Sequence, residues 1–171
     1  YEIGLGIPAE PLFRSSIGGK QIMLVKFYLN DTLVSYDVRP DEYLAETLRS
    51  HGIKSVKVGC NESTCGSCTL LVEGKPVMSC SVLTASIENK HVTTIEGIQE
   101  EAARISYHFS EEGADQCGFC NVGLALVIYS LKRTIKNPSE EQIQDYIVGN
   151  LCRCSGLQSQ LNAIKAYLKE E

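Results

Sequence analysis

The eight cysteines of this chain fall into two groups of four that differ in spacing. The first group reads C-x4-C-x2-C followed by a later cysteine, and consists of Cys60, Cys65, Cys68 and Cys80. Plant-type [2Fe-2S] clusters are held with this spacing. The second group joins a CxxC pair to a CxC pair, and consists of Cys117, Cys120, Cys152 and Cys154. Because thiolates are soft ligands, two complete sets of four predict two metal centres.

Three kinds of cysteine chemistry compete for these positions. Disulfides give no reason for the clustered CxxxxCxxC, CxxC and CxC spacings, which makes them the weakest interpretation. Zinc is a serious alternative for the second group, since structural zinc sites often consist of two short cysteine pairs. In the first group, Gly59 and Gly66 favour a cluster, because glycines let backbone N–H groups approach the sulfurs. We therefore expect an electron carrier with two [2Fe-2S] clusters, and zinc stays open for the second group.

Charge and hydropathy exclude several classes of protein. A formal net charge of −5 without a cluster of basic residues argues against nucleic-acid binding. The longest uncharged stretch, 117–131, is too short to cross a bilayer, so we expect no membrane span. No leader sequence is visible at Tyr1, and ligation requires reduced thiols, so we expect a cytoplasmic location.

The first half of the sequence predicts a small sheet with one helix. Strands are expected at 22–29, 32–38, 69–72, 76–79 and 91–95. The first two form a hairpin around Asn30 and Asp31. Asp41 is placed to cap a helix that ends near Gly52. The loop that carries the first three cysteines follows this helix.

From about residue 96 the apolar period changes from two to 3.6, which predicts helices. They are expected at 100–112, from Asn121 to Pro138, from a Ser139–Gln142 capping box to Gly149, and over 157–168. Two of these helices follow cysteine pairs, so their positive N-terminal ends would face the second set of sulfurs. We thus predict an α+β chain with an irregular arm (1–21), a sheet module (22–95) and a small helical bundle (96–171).

Three motifs together resemble one known family: VGCNESTCGSCTLLVEGKPVMSC, ADQCGFC and GNLCRCSG. In this order they resemble the iron–sulfur small subunits, or N-terminal iron–sulfur domains, of molybdenum hydroxylases such as xanthine dehydrogenases, aldehyde oxidoreductases and carbon monoxide dehydrogenases. The resemblance covers roughly 22–168. It implies a β-grasp [2Fe-2S] ferredoxin-like domain followed by an all-α four-helix-bundle [2Fe-2S] domain.

The resemblance also implies partners and roles for single residues. The cluster of the second cysteine group would lie next to the molybdopterin of a large partner subunit, and the other cluster nearer an FAD subunit or an external acceptor. Gln116 matches the family glutamine that hydrogen-bonds the pterin, and Cys154 matches the ligand that also approaches it. No catalytic residue is expected on this chain, because the substrate site would belong to the partner.

Two features depart from the family pattern. Asn121-Val122-Gly123 stands where Thr-Pro-Gly is common, although asparagine can cap a helix as threonine does. The arm at 1–21 precedes the first strand, where the family domain usually begins. A stand-alone two-cluster ferredoxin-type carrier is the alternative function, and a zinc-stabilised interaction protein comes third.

Overall fold

The computed structural model describes residues 21–170, so the expected arm lies outside the described residues except for Gln21. Within this range five strands form one sheet: β1 (Met23–Leu29), β2 (Thr32–Val38), β3 (Thr69–Val72), β4 (Lys75–Met78) and β5 (His91–Thr93). Their order across the sheet is β2-β1-β5-β3-β4. The two central neighbours β1 and β5 are parallel, and the other pairs are antiparallel.

The first hairpin turns at Asn30 and Asp31, as the sequence predicts. Both residues have positive φ, 48° and 63°, a conformation that asparagine and aspartate tolerate better than most residues. Leu29 consequently pairs with Thr32, and this register directs Val25 and Phe27 of β1 into the core. The sheet thus has a well-defined inner face against which a helix packs.

Helix α1 (Leu44–Ser50) packs on the inner face of the sheet through Leu44 and Leu48, which are fully buried with Val25 and Phe27. This is the β-grasp arrangement expected for the first half. The expected N-cap is wrong, because Tyr43 occupies the cap position and no side chain caps the helix. Asp41 instead pairs with Arg39, whose Nε lies 3.2 Å from its Oδ1.

The second half of the described chain contains four further helices: α2 (Gln99–Glu111), α3 (Asn121–Thr134), α4 (Glu140–Ile147) and α5 (Leu157–Leu168). The capping box that starts α4 is confirmed: the Gln142 N–H donates to Ser139 Oγ over 3.2 Å, and the Ser139 N–H to Gln142 Oε1 over 2.8 Å. Asn121 is the first residue of α3 rather than its cap, because Cys120 holds that position. In the described part of the chain no helix is both long and apolar enough to cross a membrane.

Helix α3 belongs to two hydrophobic cores at once. Leu124, Ile128 and Leu131 are buried among the other helices, whereas Leu126 is buried with the residues of the sheet. The Ser130 hydroxyl, on the same helix, donates to a backbone carbonyl in the β3–β4 turn over 3.0 Å. The two halves of the chain therefore pack directly against each other through α3.

Candidate metal centres

The first cysteine group lies in the loop between α1 and β3 and in the short 3-10 turn after β4; we call it the loop site (Cys60, Cys65, Cys68 and Cys80). Left-handed backbone at Asn61, Ser63 and Gly66, with φ of 58°, 55° and 70°, folds the loop tightly around the thiols. The thiols interact in pairs, Cys60 with Cys65 and Cys68 with Cys80.

Hydrogen bonds and burial act on different thiols of the loop site. The Thr64 hydroxyl and the backbone N–H groups of Glu62 and Thr64 donate to Cys60 Sγ, the N–H groups over 3.4 and 3.5 Å, and lower its pKa to about 6. Burial raises the pKa of Cys68 to about 11. The first thiol is thus ready to ligate as a thiolate, and the second loses its proton only when a metal replaces it.

The second cysteine group, which we call the helix site (Cys117, Cys120, Cys152 and Cys154), lies before α3 and between α4 and α5. Its sulfurs also pair two and two: Cys117 Sγ lies 3.4 Å from Cys154 Sγ, and Cys120 interacts with Cys152. Cys120 is buried, whereas Cys117 and Cys154 are exposed.

As in the loop site, one thiol of the helix site has a raised pKa and another has a lowered pKa. Burial, followed by the neighbouring Cys152, raises the pKa of Cys120 to about 12. Burial opposes ionisation of Cys152 as well, yet hydrogen bonds from the Ser155 side chain and backbone lower its pKa to about 7. The Ser155 N–H donates to Cys152 Sγ over 3.4 Å.

Both donor sets fit a [2Fe-2S] cluster. Such a cluster takes four thiolates, two on each iron, and each site offers its four thiols as two contacting pairs. The two-and-two arrangement is suited to a centre with two metal atoms.

The helix N-termini lie close to the helix site, but the contacts differ from those expected. Helix α3 begins directly after Cys120, as predicted. Helix α5 begins only at Leu157, so the N–H that reaches a sulfur comes from Ser155 in the turn before the helix. Sequence analysis also missed hydroxyl groups near the sulfurs, namely those of Ser63, Thr64, Ser67 and Ser155. Their position within three residues of a cysteine was the available signal.

The residues expected to face a partner lie at the surface. Gln116 is exposed beside the exposed Cys117. The sulfur of Cys154 is in contact with the sulfur of Cys117. Large apolar side chains close in sequence to the helix-site cysteines are also exposed, and we call this set the apolar rim: Phe119, Val148, Leu151 and Leu157. Val148, Leu151 and Leu157 line one surface depression together with Cys152. Phe119 also reaches toward the loop site, since a Cβ built on Gly59 would lie 3.3 Å from its ring and 3.2 Å from Cys65 Sγ.

The two sites meet through the backbone. The N–H of Leu151, which precedes Cys152, donates to the carbonyl oxygen of Cys65 over 3.0 Å. Asn150 Nδ2 donates to the carbonyl of Gly66 over 3.0 Å. The approach is so close that a methyl group on Gly66 would lie 2.3 Å from the carbonyl oxygen of Gly149. A hydrogen bond therefore joins a cysteine of one site to the neighbour of a cysteine of the other.

Comparison with known proteins identifies both halves. Residues 27–91 match the 2Fe-2S iron-sulfur cluster binding domain, and residues 94–165 match the [2Fe-2S] binding domain. These two matches resolve the question that the cysteine spacing left open for the second group: both modules are [2Fe-2S]-binding domains rather than zinc sites. The first half is accordingly a ferredoxin-like domain.

Individual relatives agree with these matches. The nicotinate dehydrogenase small FeS subunit of Eubacterium barkeri is 36% identical over 135 residues, which cover 77% of this chain and 86% of that subunit. The xanthine dehydrogenase of Emericella nidulans is 34% identical over 156 residues, 84% of this chain but only 11% of that much longer protein. Among solved structures, quinoline 2-oxidoreductase from Pseudomonas putida 86 superposes with a TM-score of 0.80 at 32% identity, covering 86% of this chain and 94% of the matched one.

This chain belongs to the iron–sulfur subunits and domains of the molybdenum hydroxylase family, the family of xanthine dehydrogenase.

Proposed function

We propose that this chain is the electron-transfer subunit of a molybdenum-containing hydroxylase or dehydrogenase. It passes electrons from the molybdopterin site of a large partner subunit, through two [2Fe-2S] clusters, to an FAD subunit or an external acceptor. The observation that carries this proposal is the hydrogen bond between Leu151 and Cys65, because it connects two four-cysteine sites within one chain. Two sites joined in this way are suited to electron transfer from one cluster to the other within the chain.

The eight cysteines hold the two clusters in this proposal. The loop site binds one within the ferredoxin-like domain, and the helix site binds the other where the four C-terminal helices form a bundle. A bound [2Fe-2S] cluster supplies a centre that accepts and releases one electron. The protein supplies thiolates in matched pairs, hydrogen bonds to the sulfurs, and a fixed distance between the two sites.

The backbone between the two sites provides the path for electrons. From Cys152 the covalent chain leads one residue back to Leu151, whose N–H bonds to the carbonyl of Cys65. Asn150 and Gly66 hold the same two segments together over 3.0 Å. Since one contact joins two backbone groups and the other joins a side chain to the backbone, the separation of the two sites is set by packing rather than by a flexible linker.

The large partner subunit covers the exposed side of the helix site. Cys117 and Cys154 are exposed there, and Gln116 is available to hydrogen-bond a pterin. The apolar rim is exposed as well, and three of its members line one depression with the ligand Cys152. Contiguous exposed apolar side chains typically mark a surface that a partner buries. A freely diffusing carrier would leave this surface in water, so the rim favours a subunit over the stand-alone alternative. The requirement for eight reduced thiols supports a cytoplasmic location.

Purification from the native source tests this function. The chain should copurify with a large molybdopterin-binding subunit, contain iron and acid-labile sulfide, and give two [2Fe-2S] signals by electron paramagnetic resonance after reduction. Val148→Lys, on the apolar rim, should weaken copurification and leave both signals unchanged. Leu33→Lys, a control at an exposed apolar position on the edge strand β2, should leave the complex intact. Recovery of an active, isolated carrier, or of zinc without sulfide, would contradict the proposal.

A further inference from the structure

Gln160 is a buried polar residue that the function described so far does not use. It lies in the first half of α5 with only 3% of its surface exposed, next to the fully packed Leu161. A buried amide is destabilising unless its polar atoms find hydrogen-bond partners. The contact found for its Nε2 is Cys120 Sγ, at 4.0 Å, the outer end of the range for a hydrogen bond to sulfur.

Cys120 is the sulfur of the helix site where such a donor matters most. It is 8% exposed, so water contributes little to stabilising negative charge on it. Its neighbour Asn121 does not donate to this sulfur, because its side-chain nitrogen points to Asp115, to which it donates over 2.9 Å. The Asn121 carbonyl oxygen is the atom that lies 3.5 Å from the sulfur, and it can only accept.

We infer that Gln160 is a positioning residue of the helix site: its amide N–H donates to the Cys120 sulfur and raises the reduction potential of the cluster bound there. This inference rests on the proposed function, since it assumes that the helix site holds a cluster. Reduction adds negative charge that is shared with the ligand sulfurs, so a donor to one of them stabilises the reduced form more than the oxidised form. Hydrogen bonds to sulfur are a recognised control on cluster potentials.

The test is a redox titration of the full chain in its complex, followed by electron paramagnetic resonance. Gln160→Leu and Gln160→Met both remove the donor. Leucine keeps a side chain of similar size in the core, and methionine keeps an unbranched one. At a fixed potential near the midpoint, each should lower the reduced-to-oxidised ratio of the helix-site cluster about tenfold, equivalent to about 59 mV for one electron. The loop-site cluster should titrate as in the wild type. Gln158→Leu is the matched control, because Gln158 is exposed on the same helix and bonds Asn162.

Gln160→Glu provides a readout that a purely structural role would not produce. Its carboxylate cannot donate, so the potential should be low at high pH and should rise as the pH falls and the acid gains a proton that it can donate. Unchanged potentials in Gln160→Leu and Gln160→Met with both clusters present would overturn the inference. So would loss of the helix-site cluster in every Gln160 variant, since Gln160 would then be needed for assembly rather than for the potential. A wild-type chain without sulfide would instead refute the proposed function itself.

Discussion

The loop site and the helix site solve the same ligand problem with different backbone. In the loop site, residues in left-handed conformations wrap one irregular segment around three thiols, and a short turn adds Cys80. In the helix site, two separate segments meet because α3, α4 and α5 pack around a common core. Yet each site contains one thiol whose pKa is lowered, Cys60 or Cys152, and one buried thiol whose pKa is raised. In both sites local donors lower the pKa of one thiol and burial raises that of another, although the surrounding secondary structure differs. In the helix site the neighbouring Cys117 also raises the pKa of the exposed Cys154.

The two sites differ most in exposure. Cys68 and Cys80 of the loop site are buried, whereas Cys117 and Cys154 of the helix site are open to solvent. A site with two exposed thiols is suited to direct contact with another subunit. This difference supports the proposal that the helix site is the one that faces the partner.

Replacing a ligand should have the largest effect and should separate the two sites completely. Cys120→Ser should remove the helix-site cluster and about half of the iron, because a hydroxyl is a poor replacement for a thiolate. Cys65→Ser should remove the loop-site cluster instead. Iron analysis and electron paramagnetic resonance would show which signal remains. Loss of both signals from either variant would mean that the sites do not assemble independently.

The rates at which the thiols are alkylated should follow their pKa values. In the cluster-free chain at pH 7, iodoacetamide should label Cys60 far faster than Cys68, whose pKa is about 11. The lowered pKa of about 6 means that Cys60 is a thiolate above that pH and becomes protonated below it, so its labelling should slow as the pH falls through 6. Thr64→Val should raise this pKa and slow labelling at pH 7. Mass spectrometry of the labelled peptides gives the rates, and equal rates for the two thiols would contradict the assignment.

A pair of glycine substitutions tests the contact between the two sites. Gly66 and Gly74 have nearly the same positive φ, 70° and 73°, so alanine adds similar backbone strain at both, about 1–2 kcal/mol. Only at Gly66 does the new methyl group meet backbone, the Gly149 oxygen at 2.3 Å; around Gly74 nothing lies within 4 Å. Gly66→Ala should therefore lose a further 1–3 kcal/mol or so of stability through overpacking. Thermal unfolding of the two holo variants measures the difference, and equal melting temperatures would show that the junction relaxes freely.

The smallest effect should come from the side-chain bond at the same junction. Asn150→Ala removes the donor to the Gly66 carbonyl and should cost about 1 kcal/mol. Electron transfer between the sites, followed by rapid mixing and freezing, should slow modestly because the backbone bond of Leu151 remains. Asn162→Ala on the exposed face of α5 is the control, with an expected change within about 0.5 kcal/mol. A loss of stability as large as that of Gly66→Ala would show that this amide, not the close backbone packing, holds the sites together.

Short sequence patterns predicted a turn and a capping box correctly, but they predicted the N-caps of two helices wrongly. The Asn30-Asp31 turn and the Ser139 capping box were visible because each depends on residues within a few positions. The caps expected at Asp41 and Asn121 are wrong, since Arg39 and Asp115 engage those side chains. A cap preference is weak enough for one nearby polar partner to override it.

For the candidate sites, spacing predicted which cysteines lie near each other but not how they meet. The pairing of Cys117 with Cys154 depends on how the helices pack, and the bond from Leu151 to Cys65 joins segments far apart in the sequence. Gln160 carried no signal at all, because a polar residue on a helix is ordinarily taken for a solvent-facing one. Contacts of this kind follow from tertiary packing, which no short window of sequence contains.

Because α3 packs in both hydrophobic cores, its stability is tied to the stability of both halves of the chain. With Leu126 in the core of the sheet and Leu124 in the helical core, neither half can bury its apolar residues without this one helix. The amide protons of α3 should thus exchange with solvent only when both halves open together. Because Cys120 directly precedes α3, loss of the helix-site cluster should loosen this helix and with it the packing of both halves.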